Sequence, residues 1–184
     1  IRNKLIPLTK KNINSLISLL SNIQLDYKMN NSTGFSDIYL NGSNLESKIK
    51  SLEVSNHVSS VAEISQIRKH VVKIQKSFQH KRGLVMDGRD IGSVVFPNAD
   101  LKLFLKASDH IRAKRRFDEL INEGYEINYD DIFNNIISRD KKDSERKDSP
   151  LIIPKDAVVI DNSKMSIIDQ LNFIIKLIKS RFNF

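Results

Sequence analysis

The second half of the chain alternates short apolar runs with longer stretches of helical periodicity. The apolar runs cover residues 84–87, 101–105 and 157–161, and each has the length of a buried strand. Residue types that cap helices precede the periodic stretches, namely Ser108, Asn128 and Ser166. This alternation of strand and helix predicts an α/β fold with a parallel sheet and crossover helices.

Each predicted helix in this half carries an apolar stripe that we expect to face the core. The helix after Ser108 should end at Gly124, because glycine favours helix C-termini. The inward positions of the three helices are Ile111, Phe117, Leu120 and Ile121, then Ile132, Phe133, Ile136 and Ile137, then Ile167, Leu171, Ile174, Ile175 and Ile178. A chain of 184 residues is long enough to bury such a core.

The first half of the chain predicts a smaller unit of a different kind. Residues 10–20 have helical spacing, and residues 22–28 alternate as a strand does. Phe35 to Leu40 predicts a second strand, and the Asn41-Gly42 pair that follows it is a strong turn signal. These features indicate a small antiparallel unit.

Residues 53–78 follow with apolar positions that suit one long helix or two consecutive helices with a break near Ser65. Ser59 and Arg68 lie off the main apolar stripe of this stretch. Each side chain, taken alone, fits either a solvated helix face or a position facing a cleft.

A polar turn, Asp87-Gly88-Arg89-Asp90-Ile91-Gly92, follows the apolar run at residues 84–87. Gly88 lets the backbone turn, because glycine adopts a positive φ without a steric penalty. The charged side chains of the turn lie just past the carboxyl end of a predicted strand, where open α/β sheets bind ligands. Unpaired charge is costly in a core, so we expect a turn that recognises a ligand with phosphate and polar edges.

Composition narrows the class of protein. The chain has 30 Lys and Arg against 22 Asp and Glu, and its net charge of +8 favours an anionic partner. The absence of cysteine excludes disulfides and fits an intracellular protein. No apolar run reaches the roughly 18 residues that span a bilayer. The four histidines lack metal-ligand spacing and no Gly-x-Ser-x-Gly motif occurs, so we expect neither a protein-built metal site nor a serine nucleophile.

Arginines from four separate segments carry the strongest chemical signal: Arg68, Arg89, Arg112, Arg115, Arg116, Arg139 and Arg146. Guanidinium groups bind phosphate through paired hydrogen bonds, and phosphoryl transfer depends mainly on positioning and charge neutralisation. Residues 139–149 have almost no apolar content, which predicts a mobile surface segment or lid that closes over phosphates.

These motifs resemble the bacterial cytidylate kinases over nearly the whole chain. The resemblance rests on the run from Asp87 to Pro97, Leu101 to Leu105, Arg112 to Arg116, Arg139-Asp140, Arg146 and Asp148 to Leu151, and upstream on Thr33 to Phe35, Tyr39 to Gly42 and Leu52 to Ser55. The resemblance implies the P-loop nucleoside monophosphate kinase fold, in which helices cover both faces of a parallel sheet. Residues 1–184 would form one kinase domain, with an antiparallel monophosphate-binding insert at 22–81 and a lid at 138–150.

The resemblance also implies an activity and its partners. Members of the family transfer the γ-phosphoryl group of ATP to CMP or dCMP, with Mg²⁺. Matched motif by motif, Ser59, Arg68 and Asp90 would bind the cytosine, whose exocyclic amine is a donor that a carboxylate accepts. Arg89 would hold the CMP phosphate. By the same resemblance, we expect the protein to be a cytoplasmic monomer without a protein-built metal site.

The remaining implied roles belong to the lid and its hinge. Arg139, Asp143 and Arg146 would bind the ribose and the phosphates, with the two arginines acting in catalysis. Arg115 and Arg116 would lie at the lid hinge, near the phosphates of ATP.

One part of the family pattern is absent from the sequence. No Gly-x-x-x-x-Gly-Lys-Ser/Thr loop occurs, and the chain begins with Ile1. Either a preceding segment carries that loop and its central strand, or the chain is a remnant that binds CMP without transferring phosphate. We expect the former, because strands 84–87 and 157–161 would otherwise leave buried backbone groups unpaired, at about 1–3 kcal/mol each.

The net charge also motivates an alternative to a kinase, namely a basic module that binds nucleic acid. It predicts basic residues interleaved with exposed aromatic residues. Five phenylalanines instead fit inward positions: Phe78, Phe96, Phe104, Phe117 and Phe133. We therefore expect CMP or dCMP and ATP as partners, and neither nucleic acid nor a membrane.

Overall fold

A computed structural model describes residues 5–80 and 83–182 of the chain. It contains two compact units, one ending at Ile74 and the other beginning at Gln75. An antiparallel sheet lies in the first half of the chain, and a parallel strand pair with helices lies in the second. The predicted α/β class is confirmed.

The elements of the first half are helix α1 (Lys10–Leu19), strands β1 (Leu25–Asn30), β2 (Phe35–Leu40) and β3 (Ser43–Asn44), and helices α2 (Glu46–Ile49), α3 (Leu52–Ala62) and α4 (Ser65–Ser77). The strands form an antiparallel sheet in the order β1-β2-β3, with Leu25 opposite Leu40. The first strand therefore begins later than predicted, whereas β2 has its predicted bounds. The break between α3 and α4 confirms two consecutive helices rather than one.

The elements of the second half are a π-helical turn (Ile91–Val95), strand β4 (Leu103–Lys106), helices α5 (Asp109–Asn122) and α6 (Tyr129–Glu145), strand β5 (Val158–Asp161) and helix α7 (Ile167–Phe182). Strands β4 and β5 are parallel, with Leu103 opposite Val158 and Lys106 opposite Asp161. The predicted parallel pairing is therefore confirmed. No helix in the described part of the chain is long and apolar enough to cross a bilayer.

Helices α5 and α6 hold the buried core of the second unit. Their predicted caps are present: Ser108 Oγ accepts from the Ile111 amide at 3.4 Å, and Asn128 Oδ1 accepts from the Asp130 amide at 2.8 Å. Gly124 ends α5 at a φ of +85°. Ala113, Leu120 and Ile132 are buried in this core. Partly buried side chains pack around them: Phe117, Ile127, Tyr129, Phe133 and Ile136. Each fully buried Leu or Ile contributes about 1.5–3 kcal/mol, and this packing fixes α5 against α6.

The run at residues 84–87 is not a strand, so that prediction is wrong. It pairs with neither β4 nor β5, and Val85 is 94% exposed. A strand requires a neighbouring backbone to complete its hydrogen bonds, and no segment among the described residues supplies one to this run. Arg89 and Asp90 therefore follow an irregular segment rather than a buried strand.

Helix α7 begins as predicted but is more exposed than predicted. Ser166 Oγ accepts from the Asp169 amide at 3.1 Å, which caps the helix. Three of its five predicted inward positions are exposed, namely Ile167, Leu171 and Ile175. Ile121 on α5 and Ile137 on α6 are exposed as well. Apolar periodicity marks one face of a helix, but burial also requires another layer that packs against that face. The described sheet of this unit has two strands, and these apolar side chains remain exposed.

Helix α6 extends into the segment predicted to be a mobile surface. It continues to Glu145, and the side chains of Asp143 and Arg146 are buried. The Leu151 amide donates to the Asp143 carbonyl at 2.7 Å, which folds the following loop back onto the helix. Asp143 and Arg146 pair with each other inside this segment, whereas Lys141, Glu145 and Lys147 are exposed. Its closure over a ligand stays a prediction.

Candidate phosphate-binding site

Arginine and aspartate side chains converge in the second unit. The members of this cluster are Arg89 before the π-helical turn, Asp109 and Arg112 on α5, Arg139, Asp140 and Asp143 on α6, and Arg146 at its end. The first turn of α5 meets the last turns of α6 because the apolar core packs the two helices together. The cluster therefore depends on the α5–α6 packing.

Asp143 lies at the centre of three arginines. Its Oδ1 is 3.2 Å from Nη1 of Arg146, and its Oδ2 is 3.4 Å from Nε of Arg89 and 3.8 Å from Nε of Arg139. Helical spacing places Arg139 one turn before Asp143 on the same face. A buried carboxylate is stable only with such partners, so this aspartate holds three cations in one place.

Arg146 is held by the loop that follows α6. Its Nε donates to the carbonyl of Ser149 at 2.6 Å, and Ser149 has a φ of +56°, in the left-handed region. Non-glycine residues adopt that conformation at a cost, and such residues concentrate at functional sites. The loop therefore fixes the orientation of the Arg146 guanidinium.

The electrostatics of the cluster favour an anion. Burial and the charge of Arg89 lower the pKa of Arg139. For Arg112, burial lowers the pKa, but hydrogen bonds to Asp109 and Asp140 outweigh it, and the net shift is upward. Four arginines face three aspartates, so an added anion such as a phosphate group relieves repulsion among the cations.

The polar turn beside the cluster is anchored by a buried lysine. The Asp90 side chain is buried. The backbone carbonyl of Asp90 accepts from the amides of Val94 and Val95 at 2.9 and 3.2 Å. A Cβ at Gly92 would lie 3.3 Å from Cδ of Lys102. Nζ of Lys102 donates to the Pro97 carbonyl at 2.5 Å and lies 2.7 Å from Oδ2 of Asp156. Lys102 therefore packs beside Gly92 within the π-helical turn and bonds the backbone just after it.

The second unit brings together several of the residues that the sequence nominates. Arg89, Arg139, Asp143 and Arg146 form one cluster, and Asp90 follows Arg89 directly. Ser59 and Arg68 lie on α3 and α4, in the first unit, where Ser59 is buried. Their roles in binding the base stay predictions.

Arg115 and Arg116 contact groups outside the cluster. Arg115 donates to Asn162 through Nη1 to Oδ1 at 3.0 Å and through Nη2 to the carbonyl at 2.7 Å, which joins α5 to the connection between β5 and α7. Arg116 pairs with Glu119 on its own helix at 2.7 Å. A role for this pair near ATP stays a prediction.

The sequence assigned no role to three residues that the structure places in or beside the site, Lys102, Asp140 and Asn162. Arg112, by contrast, is one of the arginines that the sequence nominated for phosphate. The spacing of Asp140, three residues before Asp143 on a helix, is the signal that puts both carboxylates on one face. Nothing comparable marks Lys102 or Asn162, because their partners are distant in the sequence.

The carboxylates of the cluster do not form a metal site. Among residues 5–80 and 83–182, no group of three or more His, Cys, Asp or Glu side chains is placed to hold a metal ion. Asp140 and Asp143 direct their oxygens at arginines. These residues therefore do not fit a protein-built Mg²⁺ site.

A parallel strand pair with helices and an arginine cluster beside a polar turn place this chain among α/β proteins with a concentration of cations suited to anionic phosphate. Comparison with known proteins specifies the family. A family model described as cytidylate kinase matches residues 5–180. The chain belongs to the cytidylate kinase family, which confirms a nucleoside monophosphate kinase fold and an ATP-dependent kinase, a transferase.

Curated relatives agree with the family model. The cytidylate kinase of Flavobacterium johnsoniae is 46% identical over 177 residues, which cover 96% of this chain and 77% of the relative. The cytidylate kinase of Flavobacterium psychrophilum is 43% identical over 169 residues, covering 92% of this chain and 75% of the relative. That of Phocaeicola vulgatus is 41% identical over 169 residues, with coverage of 92% and 74%.

Proposed function

We propose that this protein transfers the γ-phosphoryl group of ATP to CMP or dCMP, forming CDP or dCDP. Its family and the relatives named cytidylate kinase support the reaction. The observation that carries the acceptor half is the convergence of Arg89, Arg139 and Arg146 on the buried Asp143. Rigidly held cations of this kind stabilise charge that moves between phosphoryl oxygens.

The proposed acceptor site divides phosphate and base between different residues. Arg89 holds the phosphate of CMP, and Arg139 and Arg146 neutralise the charge on the transferring group. The buried Asp90 accepts from the exocyclic amine of cytosine. Ser59 and Arg68 complete base recognition, a role supported by the motifs they share with the family.

The donor half of the proposal rests on family membership. ATP is the phosphoryl donor, and Mg²⁺ arrives on its phosphates, since the carboxylates of the cluster are committed to arginines. The loop Gly-x-x-x-x-Gly-Lys-Ser/Thr is not among the 184 residues. The proposal includes Arg115 and Arg116 beside the ATP phosphates, and a monomer acting in the cytoplasm, on the strength of the resemblance.

A coupled assay of ADP formation tests the proposal. CMP, dCMP and UMP are offered as acceptors with ATP and Mg²⁺, and calorimetry measures the binding of each acceptor separately. We expect turnover with CMP and dCMP above that with UMP. Binding of CMP without ADP formation would support a binding remnant instead. Binding of a short RNA with a steep salt dependence, and no binding of CMP, would support a nucleic-acid module.

A further inference from the structure

Arg89 is held from two sides by carboxylates. Its Nη1 donates to Oδ1 of Asp140 at 3.0 Å, and its Nε lies 3.4 Å from Oδ2 of Asp143. The side chain is 33% exposed, and no acceptor among the described residues contacts its remaining amino group, Nη2. The two carboxylates therefore fix the guanidinium while leaving one amino group available to a ligand.

Asp140 is in turn fixed by a second arginine. Its Oδ2 lies 2.5 Å from Nη1 of Arg112, whereas its Oδ1 accepts from Arg89. Arg112 also bonds Asp109 on its own helix through Nη2. Each oxygen of Asp140 thus serves a different arginine, and the carboxylate cannot rotate away from Arg89 without losing Arg112.

We propose that Asp140, anchored by Arg112, is a positioning residue that directs Nη2 of Arg89 toward the phosphate of the acceptor nucleotide. This inference rests on the proposed function, in which Arg89 binds that phosphate. Asp140 does not touch the substrate in this role. It restricts the rotamers of Arg89 before the nucleotide binds, which reduces the entropic cost of forming the phosphate contact.

A carboxylate is required at this position because both partners only donate hydrogen bonds. An asparagine has almost the same shape, but it offers one acceptor oxygen and one NH₂ group. Whichever way that amide is turned, its NH₂ group faces a guanidinium donor. Asp140→Asn therefore breaks at least one of the two contacts while keeping the volume of the side chain.

A purely structural role would consist of joining α5 to α6. That task is already performed by the apolar core between these helices, which includes Ala113, Leu120 and Ile132. The contact to Arg89, by contrast, reaches a loop outside the two helices and ends on a predicted phosphate ligand. The position of Asp140 between Arg112 and Arg89 therefore favours a role in the site.

Calorimetry with CMP and with cytidine tests the proposal, because the two ligands differ by the phosphate alone. We expect Asp140→Asn to weaken CMP on the order of tenfold and to leave the affinity for cytidine within about twofold. Asp140→Glu should restore part of the loss. Asp118→Asn is the matched control, since Asp118 forms an exposed ion pair with Lys114 outside the cluster, and it should bind CMP as the wild type does.

Arg112→Gln provides the second arm of the experiment. It should weaken CMP selectively as well, and combining it with Asp140→Asn should add little, because both changes act through the same contact. Arg112→Gln also carries the test if Asp140→Asn does not fold.

The outcomes separate the inference from the proposed function. Wild-type affinity for CMP in either variant, or equal weakening of CMP and cytidine, overturns the positioning role while the proposed function stands. A wild-type protein that does not bind CMP overturns both.

Discussion

Arg146 and Asp143 form an ion pair that the protein encloses almost completely. Nη1 of Arg146 is 3.2 Å from Oδ1 of Asp143, and the two side chains are 3% and 4% exposed. The surrounding segment has little apolar content, so the burial of these two side chains depends on the pairing of their charges. Arg146 is also a proposed catalytic group, so we expect this one side chain to contribute to both stability and catalysis.

Replacing Arg146 should reduce both stability and turnover. Arg146→Ala leaves the Asp143 carboxylate buried without its nearest cation, and we expect a loss of about 3 kcal/mol in the free energy of unfolding, measured in urea. Arg146→Lys retains the charge but loses the fork geometry, and we expect turnover to fall by about 10- to 100-fold. Lys147→Ala, an exposed neighbour, is the control for both measurements. Unchanged turnover in Arg146→Lys would remove this residue from the catalytic group.

Replacing Asp90 should affect the acceptor more than the donor. Asp90 is buried in the turn, and its proposed partner is the cytosine amine. We expect Asp90→Ala to raise KM for CMP by about 10- to 100-fold, because a charged hydrogen bond contributes about 1.5–3 kcal/mol, with a smaller effect on KM for ATP. Asp87→Ala changes an exposed carboxylate of the same turn and should leave both constants near wild type. Equal losses for CMP and ATP in Asp90→Ala would contradict base recognition.

Replacing Arg115 should destabilise the fold through the connection between β5 and α7. Arg115→Ala removes two hydrogen bonds to the buried Asn162, and we expect a loss of about 1–3 kcal/mol in the free energy of unfolding. Lys114→Ala breaks an exposed ion pair on the same helix and should cost about 0.5 kcal/mol or less. Chemical denaturation of the two variants measures the difference, and equal small effects would show that the Asn162 contact is dispensable.

The Lys102–Asp156 contact should give stability a specific dependence on pH. A hydrogen bond from Lys102 lowers the pKa of Asp156 below its ordinary value of 3.8. A carboxyl group whose pKa is depressed in the folded state stabilises that state above pH 3.8, and loses this contribution as the pH falls through the folded pKa. The stability difference between wild type and Asp156→Asn should therefore shrink on acidification below pH 3.8.

Lys102→Met provides the control for this pH dependence. It keeps the apolar stem beside Gly92 and removes the donor. In that background, Asp156→Asn should have no comparable effect on the pH profile of unfolding. A pH-dependent difference that persists without Lys102 would assign the shift to another group.

Local sequence determined those elements whose signals are local. Ser108 and Asn128 begin α5 and α6 because a side-chain oxygen accepts from an amide two or three residues onward, and Gly124 ends α5 because it accepts a positive φ. Local signals likewise define β2, through the alternation of apolar and polar residues and the Asn41-Gly42 turn that follows it. The arginine pattern, including Arg89 and Arg146, predicts phosphate chemistry, and the resemblance adds Asp143; these roles stay predictions.

Tertiary structure decided whatever depends on a partner distant in the sequence. Residues 84–87 have the composition of a buried strand, yet strand formation requires a neighbour, and Val85 is exposed. The apolar stripe of α7 likewise specifies a face but not what covers it. Asp140 binds Arg89 through one oxygen and Arg112 through the other only because the apolar core between α5 and α6 holds the two helices together. Hydrogen bonds between side chains depend on distances of a few tenths of an ångström, and packing rather than residue type sets those distances.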